Sequence, residues 1–223
     1  MLGQVTPHMA GDDYIIRAIL FDFDGVIVQS EKLYMETFLE FLHPYGVKVS
    51  EERWYNEFAG TGKKHIFEVL VDEYKIQEDV DNLVQRRKEN YEKAVRQGRL
   101  KITPGVVEFL EKIRKKKIKT AIVSGSHRTN IQAALEMFDL VGFFDVIVSG
   151  DELEKRKPDP EPFLYAARKL GVKPGECIAI EDSNSGAKAV IAAKMRLIVV
   201  RSPAKINLPK NTRIIEDFRK LEL

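Results

Sequence analysis

The sequence predicts an α/β protein: a parallel β-sheet flanked by helices, interrupted near its start by an all-helical insertion. Three observations predict it. From about Ile102 onward, short continuous apolar runs alternate with amphipathic stretches; such runs suit strands buried on both faces. An isolated run of the same kind, Ala18 to Phe21, stands well ahead of them. Between the two, residues 31–99 carry helical spacing and no buried-strand run. Alternation of strand and helix implies parallel strands joined by crossovers.

The elements follow in order. Ala18 to Phe21 is the first expected strand and ends at Asp22-Phe23-Asp24-Gly25. In the insertion, Leu33, Phe38, Leu39 and Leu42, then Ile66, Phe67, Leu70 and Tyr74, then Leu83, Tyr91 and Ala94 repeat at the spacing of helix faces. Thr103-Pro104-Gly105 punctuates the chain before the alternation resumes. The basic run Arg114-Lys115-Lys116-Lys117 marks the solvated end of a helix, where cations suit the dipole. Thr120 to Val123 reads as a strand, Asn130 to Phe138 as a helix and Val146 to Val148 as a strand. Glu161 to Leu170 reads as a helix that tolerates Pro162 in its first turn. Cys177 to Ile180 is the next strand, Gly186 to Ala193 the next helix and Leu197 to Val200 another strand; Ile214-Ile215 adds a short edge element. The expected division is a core of residues 14–30 and 100–223, a helical unit of 31–99 and a flexible extension of 1–13.

Composition narrows the class. The 223 residues suffice for one domain with a modest insertion. Lys and Arg total 36 against 34 Asp and Glu, a formal charge of +2 that is too balanced to indicate a nucleic-acid or membrane partner. The single Cys177 rules out an intramolecular disulfide and fits a reducing compartment such as the cytoplasm; within its apolar run it reads as a small buried residue. No run approaches membrane-spanning length, and Met1 to Asp13 lacks the charged start and apolar stretch of a secretory signal.

Four segments carry chemistry, each just past an expected strand: Asp22-Phe23-Asp24-Gly25, Ser124-Gly125-Ser126, Lys155 to Pro160, and Glu181-Asp182-Ser183-Asn184-Ser185-Gly186. A parallel sheet brings such ends to one edge, where open α/β sheets bind ligands. Asp22 and Asp24, two apart, project to one side of an extended chain, and like charges that close call for a cation or a shared proton. With Glu181 and Asp182 they make an oxygen-rich site suited to Mg²⁺. Ser124, with the amides of Gly125 and Ser126, offers neutral donors for phosphate oxygens. Lys157 supplies a point charge that holds an anionic nucleophile against an anionic phosphate. Singly, each has a plain alternative: a turn, a serine cap, a solvated lysine, an acidic helix start. All four in order, each at a strand end, favour the chemical reading.

This constellation resembles the haloacid dehalogenase superfamily, in the subgroup with a helical cap inserted after the first motif; it is similar to the sugar-phosphate phosphatases, phosphoglycolate phosphatases and β-phosphoglucomutases of that subgroup. The first motif, Asp-x-Asp-Gly-(Thr/Val)-(Leu/Ile), stands at Asp22 to Ile27; the second is Ser124; the third, Lys-Pro-x-Pro, is Lys157 to Pro160; the fourth is Glu181 to Ala189. The resemblance implies a Rossmann-like core and a phosphatase acting on a small phosphorylated metabolite through an aspartyl-phosphate. In that mechanism Asp22 is the nucleophile and Asp24 the acid and base. Mg²⁺ is held by Asp22, the Asp24 carbonyl and the Glu181/Asp182 pair, while Ser124 and Lys157 grip the phosphoryl oxygens.

The chain departs from the pattern at two places. Gln29 stands where members often have Asp, and Tyr34 where β-phosphoglucomutase-like members have a histidine. The second departure favours hydrolysis over isomerisation. Within the cap, the loop Phe58 to His65 is expected to close over the leaving group, with Gly60 and Gly62 allowing close approach and Lys63 or Lys64 meeting a second polar group; a plain helix–helix turn is the alternative. His65 reads as a surface or packing residue, and Trp54 and Tyr55 as cap packing, with an aromatic over a sugar ring as the alternative. The rivals are a phosphosugar isomerase, a dehalogenase, against which Asp24 and the Glu181/Asp182 pair speak, and a silent binding module, against which the intact set speaks. The chain is expected to act as a monomer or small homo-oligomer.

Overall fold

A computed structural model describes residues 15–59, 61, 63–203 and 206–222, apart from the side chain of Lys63. The expected extension at 1–13, Gly60, Gly62 and the Lys63 side chain lie outside what it describes. The described residues form a six-stranded parallel sheet in the order β3-β2-β1-β4-β5-β6. The strands are β1 (Ala18–Phe21), β2 (Lys119–Val123), β3 (Val146–Val148), β4 (Cys177–Glu181), β5 (Arg196–Val200) and β6 (Arg213–Ile215). Each lies within one or two residues of its expected run, and the Ile214-Ile215 element is a true edge strand paired with β5. The chain runs outward from β1 to β3 on one side and from β4 to β6 on the other. β1 and β4 are therefore neighbours at the point where strand order reverses, which is where such sheets place ligands.

Side-chain size sorts the two faces. On one, Ile19, Phe21, Ile122, Ile178 and Ile180 pack with Phe109, Leu110 and Ile113 of α5 (Val106–Lys115) and Ile131 and Leu135 of α6 (Arg128–Met137). Phe21 meets the rings of Phe109, Phe144 and Phe218 at 6.2, 5.9 and 6.3 Å, so the residue before Asp22 is clamped by three aromatics. On the other face, Ala18, Ala121, Cys177 and Ala179 are small. They let α7 (Glu161–Leu170) and α8 (Asn184–Ala192) lie close through Phe163, Ala166, Ala189 and Val190. Cys177 is buried there, as expected, with its thiol donating to the Lys173 carbonyl.

Between β1 and α5 the chain builds α1 (Ser30–Leu42), a short α2 (Glu51–Arg53) that widens into a π-helical turn over Trp54–Phe58, α3 (Lys63–Tyr74) and α4 (Val80–Arg96). These helices share a separate apolar cluster of Phe38, Leu42, Trp54, Phe58, Phe67 and Leu70 among others, with Phe38 4.6 Å from the Phe67 ring and 5.2 Å from Trp54. The segment leaves and rejoins the sheet side by side. Val28 pairs antiparallel with Ile102, Gln29 N–H donates to the Lys101 carbonyl, and Thr103 N–H to that of Ile27. Among the described residues no helix is long and apolar enough to cross a membrane.

Candidate active site

The register of the central strands decides what meets. Phe21 lies opposite both Ile122 and Ile180, so one residue further on, Asp22, Val123 and Glu181 emerge at the same edge. Asp22 N–H donates to the Ile180 carbonyl and Ser124 N–H to that of Val148, which seats both loops on the sheet. One carboxylate oxygen each from Asp22, Glu181 and Asp182 then lie within 4.8 Å of one another.

Lys157 closes this cluster from the crossover that precedes α7. Its Nζ donates to Asp22 Oδ1 at 2.7 Å, Glu181 Oε1 at 2.5 Å and the Val123 carbonyl at 2.8 Å. All three donors of the ammonium are used, and the Phe163 ring lies 5.1 Å beneath it. Burial opposes its charge, but Asp22 and Glu181 outweigh that and hold Lys157 firmly protonated. Glu181 is fully buried, and its other oxygen accepts from the amides of Asp182 and Ser183 and from the Ser183 hydroxyl. Glu181 therefore fixes the loop and Lys157, leaving Asp22 and Asp182 as the carboxylates freer to face a ligand.

The Asp24 carboxylate stands apart from this trio. It accepts from Ser30 Oγ at 2.6 Å, from Ser126 Oγ at 2.6 Å and from Ser124 Oγ at 3.4 Å. Ser30 opens α1, so this carboxylate joins the sheet edge to the helical segment. The sequence marks neither the Ser30 contact nor the turning of Ser126 toward Asp24. Ser124 Oγ also accepts from the Ser126 amide at 3.0 Å. Ser124, Gly125 and Ser126 line a recess of about 320 Å³ with Asp22, Asp24 and Lys157. Of the expected cap residues, Gly60, Gly62 and the Lys63 side chain lie outside the described residues, and exposed Lys64 is paired with Asp81 at 2.9 Å.

A divalent cation fits the donor set. Three carboxylates face one ammonium, an imbalance that a hard, oxygen-seeking cation corrects. Burial pushes Asp22 up to about 7, with Lys157 opposing and Glu181 and Asp24 adding. Burial, then Asp22 and Glu181, also raise Asp182 well above the carboxylate range. Gly25 makes room for the cluster: its φ is +78°, and a Cβ there would lie 1.8 Å from Asp182 Oδ2. Gly25→Ala is thus expected to destabilise the fold by about 1–3 kcal/mol and to lower kcat/KM by about 10²-fold through displaced Asp182; urea unfolding and rate assays check both.

Comparisons with known proteins agree with this geometry. A family profile described as haloacid dehalogenase-like hydrolase matches residues 19–200. The chain is 32% identical over 183 residues to the phosphorylated carbohydrates phosphatase of Thermotoga maritima, covering 82% of this chain and 84% of that one. It is 32% identical over 204 residues to hexitol phosphatase B of Escherichia coli, covering 87% and 88%. Among solved structures, a putative β-phosphoglucomutase from Thermotoga maritima has a TM-score of 0.77 at 29% identity, over 92% of this chain and 95% of that one. Matched by this profile over most of its length, and by relatives 32% identical, this chain belongs to the haloacid dehalogenase-like hydrolases.

Proposed function

We propose that the chain is a Mg²⁺-dependent phosphatase that hydrolyses small phosphomonoesters, sugar phosphates foremost, by way of an aspartyl-phosphate on Asp22. The observation that carries this reading is Lys157 Nζ bridging Asp22 and Glu181 at 2.7 and 2.5 Å, with the Asp182 carboxylate beside them. Such a site holds a carboxylate nucleophile and the positive charge that an incoming phosphate requires. The named substrates of the carbohydrate and hexitol phosphatases support the substrate class.

Asp22 attacks phosphorus in line as the bond to the leaving oxygen breaks, and Asp24, held by Ser30 and Ser126, gives that oxygen its proton. Asp24 then takes a proton from water as the water attacks the same phosphorus, and Asp22 departs as a carboxylate. Lys157 keeps Asp22 aimed and offsets charge, while Ser124 and the Gly125 and Ser126 amides bind phosphoryl oxygens. Mg²⁺, held by Asp22, Asp182 and the Asp24 carbonyl with Glu181 behind them, would neutralise and orient the phosphate. Helices α1 to α4 act as a cap that closes over the leaving group and excludes bulk water, with the chain segments bridged at Val28 and Ile102 as its stem.

The test is a panel of sugar phosphates, phosphoglycolate and nucleotides assayed with Mg²⁺ and then with chelator. Phosphate release from small sugar phosphates that chelator abolishes is expected. An isomerised sugar phosphate without phosphate release would make the chain a mutase, and turnover undiminished by chelator would end the metal's role.

Metal also links to pH. Asp22 titrates at about 7 in the fold against 3.8 ordinarily, so the unfolded chain loses its proton first. Stability without metal therefore falls as pH rises from about 4 to about 7, by up to about 4 kcal/mol from this group. Adding Mg²⁺ is expected to raise Tm by about 5 °C or more at pH 7.5 and hardly at pH 4.5; calorimetry at both values reads it.

A further inference from the structure

A cavity of about 540 Å³ opens on Asp24 from the side away from Lys157, between α6 and the helices α1 and α4. Its size suits the leaving group of a small phosphate ester. Among its charged residues, most are already matched. Glu92 lies 3.9 Å from both Lys88 and Arg96. Glu31 accepts from the Trp54 indole at 3.0 Å, and burial moves its carboxyl toward the neutral form. Asp24 is held by two hydroxyls at 2.6 Å.

Arg87 is the exception. It is 1% exposed, yet it forms no ion pair among the described residues, and its Nε has no hydrogen-bond partner. One nitrogen reaches the Tyr34 carbonyl at 3.3 Å, and the guanidinium lies 3.4 Å from the Tyr34 ring centre and 5.0 Å from that of Tyr91. Stacking offsets part of the burial of this cation, but most of its five donors stay unused. A guanidinium kept dry and under-paired on a cavity wall is matched to an oxyanion that arrives with the ligand.

The geometry points to Arg87 as a specificity residue that binds a second anionic group, a carboxylate or a second phosphate, on the leaving group of the substrate. This inference rests on the phosphatase reading and names the substrate class within it. The test compares matched pairs: glycerol 3-phosphate with 3-phosphoglycerate, and fructose 1-phosphate with fructose 1,6-bisphosphate. The wild-type chain is expected to favour the anionic member of at least one pair by about 10-fold in kcat/KM, mainly through KM. The pair that shows it tells carboxylate from phosphate. Arg87→Gln should lower kcat/KM about 30-fold for that member and less than about 3-fold for its neutral partner, and Arg87→Lys should keep part of the preference.

Two outcomes overturn the inference: a wild-type chain that favours neither anionic member, or an Arg87→Gln chain that loses both members equally, as a purely structural stack would. Should Arg87→Gln not fold, the wild-type ratios and Arg87→Lys decide. Hydrolysis of none of the four compounds would instead sink the phosphatase reading. Calorimetric titration of the same compounds then reads the inference separately: tighter binding of an anionic member upholds it, and equal or absent binding overturns it.

Discussion

Asp22→Asn is expected to abolish hydrolysis, lowering kcat by about 10⁴-fold or more, with the fold intact. An amide has the shape of the carboxylate but no nucleophilic oxygen. Lys157 keeps Glu181 and the Val123 carbonyl as partners, so the ammonium is not stranded. Removal of one buried carboxylate from a crowded trio also relieves repulsion. Tm without metal should therefore hold or rise while phosphate release disappears. A variant that keeps its activity would show that Asp22 is not the nucleophile, and one that unfolds would show that its charge is needed for the structure.

Lys157→Ala should show the opposite balance, losing both rate and stability. Its ammonium is the only cation paired with Asp22 and Glu181 among the described residues, and both side chains are nearly or fully buried. Breaking a buried pair by removing one partner typically costs about 3–5 kcal/mol. Here it leaves two carboxylates facing each other. The rate should fall by about 10³-fold, because the phosphate then approaches Asp22 without a neutralising charge. Glu181→Gln placed on top of Lys157→Ala should restore part of the stability and none of the activity; urea unfolding of the single and double variants reads the coupling. Lys157→Arg should not rescue, since the niche between two carboxylates and a carbonyl holds a compact ammonium and not a planar fork.

What the sequence made legible was the placement of charged groups at strand ends. Ala18–Phe21 falls where its apolar run places it, because burial on both faces leaves little choice of residue; Val146–Val148 also falls on its run, although it is a half-buried edge strand. Asp22, Lys157, Glu181 and Asp182 follow, since each sits one or two positions from such a run or at a fixed place in a crossover. Hydroxyls were harder. Ser126 reads in sequence as a backbone-amide donor to phosphate, which leaves unmarked the turning of its Oγ to Asp24, and the Ser30 contact depends on where a separate helix begins. Neither follows from periodicity. The start of α8 at Asn184, two residues ahead of Gly186, had a signal in the Ser183 cap, whose Oγ accepts from the Gly186 amide. Arg87 had one too. It stands four residues after Leu83 and four before Tyr91, so it lies on the apolar stripe of α4, where a charged residue is out of place unless it has work to do. The π-helical turn at Trp54–Phe58 had no such mark.

The central claim is that Asp22 carries the phosphoryl group between two half-reactions divided by Asp24. An Asp24→Asn chain given p-nitrophenyl phosphate and Mg²⁺ tests it most directly. That leaving group needs no proton, so the first half-reaction proceeds while the second stalls without its base. The prediction is a burst of one p-nitrophenolate per chain, followed by slow turnover, with the phosphoryl group found on Asp22 by peptide mass spectrometry. Release that is linear from the start, or a phosphoryl group found on another residue, would contradict the account.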